Sequence, residues 1–555
     1  MHTNIGQYES LASSALDEME INRVIPRIWG LDHTVWKPEP DEITNRLGWL
    51  DIAERISTHL PRLQDLAQNL RSEGYSNALL LGMGGSSLAP QVFRDTFGVK
   101  PGYLDLQVLD STDPGAVLSV SESLDLSKTI FIVSTKSGGT VETLSFFKYF
   151  YNQILKQVGR DLAGEHFIAI TDAGSRLAEL AGRFNFRDIF LNDPYIGGRY
   201  SALSYFGLVP AALIGMDLKL LLKRAQNTAD SCKESLQNTC AQLGVVMAEL
   251  AGAGRDKITF VISPAVGSFG GWVEQLIAES TGKEGLGILP VAGEPVGTPG
   301  VYGPDRVFVY LQLLGDSTYD RAVKALEDNG QPVVRLVMRD PYDTGAQFFL
   351  WEMATAVAGY RLGINPFDQP NVEAAKVLAR QMVSDYQESG SLPEGKPIIS
   401  LDGISVYGNL PAQAGNAPLA AFLSSAQPGA YVSLQAYLQP NPDTDAALLE
   451  LRQSIRERTK LAVTSGYGPR FLHSTGQLHK GDGGKGLFIQ FTSENVQDLP
   501  IPNEAGEQAS SISFGVLEAA QALGDRQALL DAGRKVIRFH FSSDVPQGLA
   551  RINQP

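Results

Sequence analysis

Short apolar runs recur along this chain, each closed by Gly, Ser, Thr or Asp and followed by a stretch long enough for a helix. Residues 78–81, 106–109, 130–133 and 167–170 form a first set, and residues 257–262, 307–311 and 333–337 a second. Runs of this length, bounded by turn formers, read as buried strands; their alternation with helix-length segments predicts parallel sheets with crossover helices. Residues 211–251, between the two sets, carry a helical pattern and read as the connection between two α/β units. Residues 390–397 read as a linker into a third region, with candidate strands at 431–434, 487–491 and 536–541. The predicted organisation is an N-terminal helical segment (1–60), a first α/β domain (61–235), a second (236–400) and a C-terminal α/β region (401–555). The sequence contains neither a short-period repeat nor a low-complexity tract.

At 555 residues the chain exceeds what one core can organise. A net charge of −15 with no compensating basic stretch argues against a nucleic-acid partner. It still permits an anionic small molecule, which needs only a local positive site. The two cysteines, Cys232 and Cys240, lie eight apart on a polar helical pattern. Their spacing suits neither a metal site nor a disulfide framework, so two unpaired thiols in a reducing compartment are expected. The N-terminus lacks the basic and apolar blocks of a signal peptide, and no apolar run approaches the roughly 18 residues of a membrane span. A cytoplasmic protein without a membrane partner is expected.

Two small-residue loops follow predicted strands. Gly82-Met83-Gly84-Gly85-Ser86-Ser87 precedes a helical run, so that Gly84 and Gly85 let backbone N–H groups approach an anion at a helix N-terminus. A dinucleotide fold competes for this loop, although the third small residue of its fingerprint is missing. Thr135-Lys136-Ser137-Gly138-Gly139-Thr140 is rich in hydroxyls that can converge on one phosphate. The continuation Thr140-Val141-Glu142-Thr143 also suits a helix cap with its capping partner. A dinucleotide fold gives no reason for this second loop.

Moving a proton between adjacent carbons of a sugar requires a base, a group to hold the enediolate charge, and an acid/base to open the ring. Glu279 stands before Ser280-Thr281-Gly282-Lys283; alone it also reads as a solvated residue near a helix C-terminus. Gly197-Gly198-Arg199 is a tight turn presenting a permanent cation, which alone would suit a surface ion pair. Lys376 lies three residues after Glu373, the spacing of a surface ion pair on a helix.

In combination these segments resemble the phosphoglucose isomerase (glucose-6-phosphate isomerase) family, most closely the isomerase half of fused transaldolase–isomerase proteins. Arg27-Ile28-Trp29 and Asn45-Arg46-Leu47-Gly48-Trp49-Leu50 resemble the entry to that half, and the segment from Gly466 through Gly481 its C-terminal domain. The likeness covers roughly residues 20 to 545, and because it starts almost at the N-terminus no transaldolase half is expected. It implies two sugar-isomerase-type three-layer units with mainly parallel sheets. It assigns Ser86, Thr135, Ser137, Thr140 and Gln369 to the substrate phosphate, with Gly84, Gly85 and Gly198 in the substrate loops. It further makes Glu279 the proton shuttle, Arg199 the enediolate stabiliser and Lys376 a ring-opening group. Gly139 stands where the family often has a threonine. The family's ring-opening histidine is also missing from its usual place, because no histidine lies between His166 and His473. His473 or His479, with a slight preference for His479, is expected to fill that role, from this chain or a neighbouring subunit; otherwise Lys376 and water open the ring.

The implied reaction is interconversion of glucose 6-phosphate and fructose 6-phosphate, a step of glycolysis and gluconeogenesis, with no metal or other cofactor. A homodimer binding only a small sugar phosphate is expected. An isomerase that also accepts mannose 6-phosphate, a sugar-phosphate-binding module without turnover, and a nicotinamide enzyme are the alternatives.

Overall fold

A computed structural model describes residues 1–234, 238–393, 395–410 and 417–554. The chain opens with β1 (His2–Asn4) and a group of helices, then enters the first sheet through β2 (Asn77–Gly82), β3 (Asp105–Leu109), β4 (Thr129–Ser134), β5 (Phe167–Asp172) and β6 (Asp188–Asn192). This sheet is wholly parallel, in the order β3-β2-β4-β5-β6. Leu79, Leu80 and Leu81 are buried on both faces, as a central strand covered by helices requires.

The second sheet takes β7 (Lys257–Ile262), β8 (Leu289–Val291), β9 (Arg306–Leu313) and β10 (Val333–Met338) in the order β1-β10-β9-β7-β8. Its only antiparallel member among the described strands is β1, which pairs His2 with Arg335. The C-terminal region follows with β11 (Ile399–Leu401), β12 (Ile404–Gly408), β13 (Tyr431–Tyr437), β14 (Ala462–Tyr467) and β15 (Gly486–Ser493). A short hairpin of β16 (Pro500–Ile501) and β17 (Ile512–Ser513) precedes the last strand, β18 (Lys535–Phe541). The third sheet runs β11-β12-β18-β15-β13-β14, parallel from β18 to β14.

One continuous core joins the N-terminal helices (Met19, Ile28) and the turn at Trp49 to a face of the first sheet and to helix Thr344–Leu362 beside the second. A second core on the other face gathers Phe131, Phe146, Phe147, Phe150 and Phe167. Ile501, Phe514 and Leu517 of the C-terminal region complete this core, so that region is packed against the first unit.

Two expectations change and two are refined. The segment 1–60 is not wholly helical, because its first residues extend the second sheet at the exposed edge of β10. The connection at 211–251 is divided into helices Tyr205–Leu213, Leu218–Glu234 and Thr239–Gly252. The last two bring Cys232 and Cys240 into a buried disulfide, and the expected pair of free thiols, with the reducing compartment argued from them, loses its basis. The eightfold spacing misled because it was read along one helix, whereas the cysteines belong to two. Lastly, helix Glu373–Ser389 packs against helix Phe514–Asp531, across the boundary expected at residue 400.

Candidate active site

In the first sheet the chain steps from β2 outward to β3, then back across to β4, so the direction of winding reverses between β2 and β4. Loops at such a point diverge and leave a crevice at the carboxyl ends of the strands. Here that crevice is a cleft of about 670 Å³. Both small-residue loops open into it, because Gly82 and Ser134 are paired neighbours at the ends of β2 and β4.

The glycines of the first loop are set by close approach. Gly84 has φ +53°, and a Cβ there would lie 2.6 Å from the His473 carbonyl oxygen. A Cβ on Gly85 would lie 2.2 Å from the Gly198 carbonyl oxygen. Any side chain at either position would push apart the turns that carry Arg199 and His473. In the second loop the Thr135 and Thr140 hydroxyls are 2.8 Å apart. Thr140 precedes helix Val141–Val158 but its side chain makes no capping bond, so the capping box suggested by the sequence is not formed. The N-terminus of an 18-residue helix therefore faces the cleft with donors to offer, a favourable place for an anion.

Arg199 is 3% exposed, and four of the five N–H groups of its guanidinium are hydrogen-bonded. Nε donates to Ser280 Oγ at 2.7 Å, one terminal nitrogen to Gln369 Oε1 at 2.8 Å, and the other to the carbonyls of Pro366 and Asp368 at 2.7 and 3.0 Å. Glu279 lies 3.8 Å from it, near the end of helix Phe269–Thr281. Because the Gln369 oxygen is taken by Arg199, its amide NH2 is the part left to face an anion. Gln275, one turn before Glu279, donates to Glu279 Oε2 at 3.1 Å and to the His473 carbonyl at 2.7 Å.

His473 lines the cleft and comes from this same chain, on the turn Arg470–His473. Its Nε2 is 2.9 Å from Glu142 Oε1. Burial would raise the Glu142 carboxyl, but the charge and hydrogen bond of His473, with Lys376 further off, hold it below its usual range. Arg470 reaches Asp110 at 3.3 Å and ties the turn to the first unit.

His479 is not in the cleft, which corrects the preference for it. It is 1% exposed, its ring stands 5.0 Å from that of Phe488, and burial drives its pKa well down. The glycines around it suggested a mobile loop; instead it sits in helix Gly476–Gly481, under the third sheet.

The cleft thus gathers Glu279, Lys376, Arg199, His473, Ser86, Thr135, Ser137, Thr140, Gln369, Gly84, Gly85 and Gly198. It also holds residues that the sequence did not single out. Asn45 and Arg46 reach it from the N-terminal segment, and Lys136 pairs with Asp172 on its floor. Lys136 carried a signal in its position within the second loop, whereas Glu142 was visible only as part of a segment that suits a helix start. Arg46, Lys136, Arg199 and Lys376 outnumber the carboxylates Asp172 and Glu279, which makes the cleft locally positive.

The fold is of the sugar-isomerase class. A solved structure of a glucose-6-phosphate isomerase from Chlamydia trachomatis superposes with a TM-score of 0.59 at 19% identity, over 68% of this chain and 87% of that one. At that identity the likeness concerns the fold. In sequence, residues 50–285 match the phosphoglucose isomerase family model. A probable glucose-6-phosphate isomerase from Methanococcus maripaludis is 29% identical over 65% of this chain and 90% of its own length. A glucose-6-phosphate isomerase from Rubrobacter xylanophilus is 28% identical over 64% and 92%. Together these comparisons make the chain similar to phosphoglucose isomerases, in fold over about two thirds of its length and in the family model over residues 50–285.

Beside the cleft, Lys283 is 1% exposed and donates to the Asp368 carbonyl and carboxylate at 2.5 and 2.6 Å. Burial, then the neighbouring Arg199 charge, lower its pKa to about 8. A lysine depressed in the folded state disfavours folding while it is charged, so the penalty is full below pH 8. It fades as the pH climbs from about 8 towards the unfolded value of 10.5. In denaturant titrations across that range, wild type should gain stability relative to Lys283→Met by a few kcal/mol. A difference that stays flat with pH would refute the assignment.

Proposed function

We propose that this protein interconverts glucose 6-phosphate and fructose 6-phosphate through an enediolate. The observation that carries this reading is the convergence of Glu279, Arg199 and Lys376 on a cleft whose other wall is built from two anion-binding loops. A module that only binds a sugar phosphate would need the loops but not the base. Kinship with the isomerase half of fused transaldolase–isomerase proteins, a homodimeric state and a cytoplasmic location are proposed on the sequence resemblance.

The phosphate is held by Ser86, Thr135, Ser137 and Thr140 with the helix N-terminus behind them, and by the Gln369 amide. Lys376 and His473 open the ring, with His473 oriented by Glu142 through Nε2 and presenting its other ring nitrogen to the sugar. Glu279 then carries a proton between the two carbons. The negative charge that develops on the oxygens is met by Arg199, whose guanidinium is already locked by five residues and needs little reorganisation. Gln275 holds Glu279 and the His473 turn in fixed relation, coupling base to ring opener.

A coupled assay on either sugar phosphate, without added metal, tests the activity directly. In that assay Glu279→Gln should retain substrate binding and lose roughly two or more orders of magnitude in turnover; near-normal turnover would remove Glu279 from the mechanism.

Replacing Ser137 and Thr140 by alanine should weaken sugar-phosphate binding by about 1.5–3 kcal/mol for each lost bond to the charged group. Calorimetric titration with fructose 6-phosphate measures this, and affinity equal to wild type would give the loop another role.

Ring opening is separated from isomerisation by comparing substrate supplied mainly as the closed ring with substrate pre-equilibrated towards the open chain. His473→Ala should slow the first far more than the second, whereas His479→Ala should not discriminate between them. Equal slowing by His473→Ala would leave ring opening to Lys376 and water.

A further inference from the structure

Behind His473 a line of buried hydrogen bonds leads out of the cleft and into the C-terminal region. We infer that Gln521 is a positioning residue for the His473–Glu142 pair: its carboxamide, oriented by Thr112, fixes Glu142 as the acceptor for His473. This rests on the reading of His473 as a ring-opening group.

Thr112, Glu142 and Gln521 are 0%, 3% and 3% exposed, so their polar atoms must find partners among themselves. Gln521 Nε2 lies 2.7 Å from Glu142 Oε1, and Thr112 Oγ1 lies 2.8 Å from Gln521 Oε1. An ionised carboxylate can only accept, so the amide must turn its NH2 towards Glu142. Its oxygen then faces Thr112, whose hydroxyl must donate. Each neighbour thereby settles the direction of the next bond, from Thr112 through to His473.

The same Glu142 oxygen receives Nε2 of His473 and Nε2 of Gln521. His473 changes charge during acid–base work, whereas Gln521 donates throughout. Glutamine also fits the surroundings. Its own helix, Phe514–Asp531, places Glu518 and Asp525 nearby, and Asp525 is neutralised by Lys480 at 2.5 Å. Burial raises Glu518 well above the usual carboxylate range. The other groups facing Glu142 are Lys376 on helix Glu373–Ser389 and the buried Tyr437 of β13. Among these, Gln521 is the neutral donor that touches the carboxylate directly.

Removing that donor destabilises the fully deprotonated pair most, because Glu142 then has neither Gln521 nor a protonated imidazole against it. The proton affinity of the pair should therefore rise. The test uses full-length protein labelled at histidine, with the His473 ring followed by NMR as pH is varied. The kcat/KM profile for fructose 6-phosphate is recorded in parallel. Gln521→Leu should move the His473 titration upward by about one pH unit and carry the corresponding limb of the profile with it. Thr112→Val, which frees the amide to turn over, should move both in the same direction by less. If the folded variants titrate as wild type does, the inference is overturned. Should Gln521→Leu fail to fold, Thr112→Val decides by the same criterion. Absence of isomerase activity in wild type would instead refute the functional reading, while the NMR titration would still report on Gln521.

Discussion

A guanidinium taken out of water must spend every donor it has, because a buried charge left partly unpaired costs several kcal/mol. Arg199 leaves one N–H directed towards Glu279 at 3.8 Å and meets the rest of this demand by drawing together three pieces of chain that are distant in sequence. These are the turn that follows the first sheet, the end of helix Phe269–Thr281, and the loop through Pro366, Asp368 and Gln369. Lys283 adds a second cation to the same Asp368 carbonyl. The loop is thus clamped by two buried charges, and Lys376 follows directly from it on the next helix. The residues proposed for charge stabilisation, phosphate recognition and ring opening are therefore tied to one another. The site is stiff because its most expensive group is satisfied only in one arrangement.

The C-terminal region contributes to the cleft as a wall. It brings His473 against Gly84 and Gln275, and its helix Phe514–Asp531 supports both Glu142, through Gln521, and the helix that carries Lys376. Leu517 and Phe514 enter the core behind the second small-residue loop. His473 thus reaches the cleft from a separate sheet-bearing region, and the absence of a side chain at Gly84 leaves room for its turn.

The central strands were legible because both faces are covered: residues 78–81, 130–133 and 167–170 are apolar without interruption and could be little else. Strands β6 and β14 lie at sheet edges and β8 has three residues, so they need no such run; Ala462–Tyr467 mixes Val with Thr, Ser and Gly. β1 was invisible because three N-terminal residues carry no pattern and are recruited by β10. In the site, the residues carried by motifs converge on one cleft, since a motif records close approach of loop and ligand. Glu142 was seen only as part of a helix start, because its actual partner lies 331 residues away. Gln521 left no trace at all; nothing in a helix sequence announces that one amide will meet a carboxylate from another region. His479 misled for a related reason, since glycines that suggest a loop also permit tight packing of a short helix.

An acidic chain with an anionic substrate poses an electrostatic question that distance resolves. At physiological ionic strength surface charges are screened beyond about 8 Å, so the formal charge of −15 is felt only weakly inside a cleft. What acts there is the lining itself: Arg46, Lys136, Arg199 and Lys376, and a helix N-terminus whose amides carry no side-chain cap. Of these cations Arg199 is the most deeply buried and is committed to protein partners, while Lys136 is paired with Asp172. The backbone amides and hydroxyls of the two loops are therefore the donors with bonds to give. On the proposed reading, these neutral dipoles share recognition of the phosphate with Lys376, and the remaining cations set the potential in which they work.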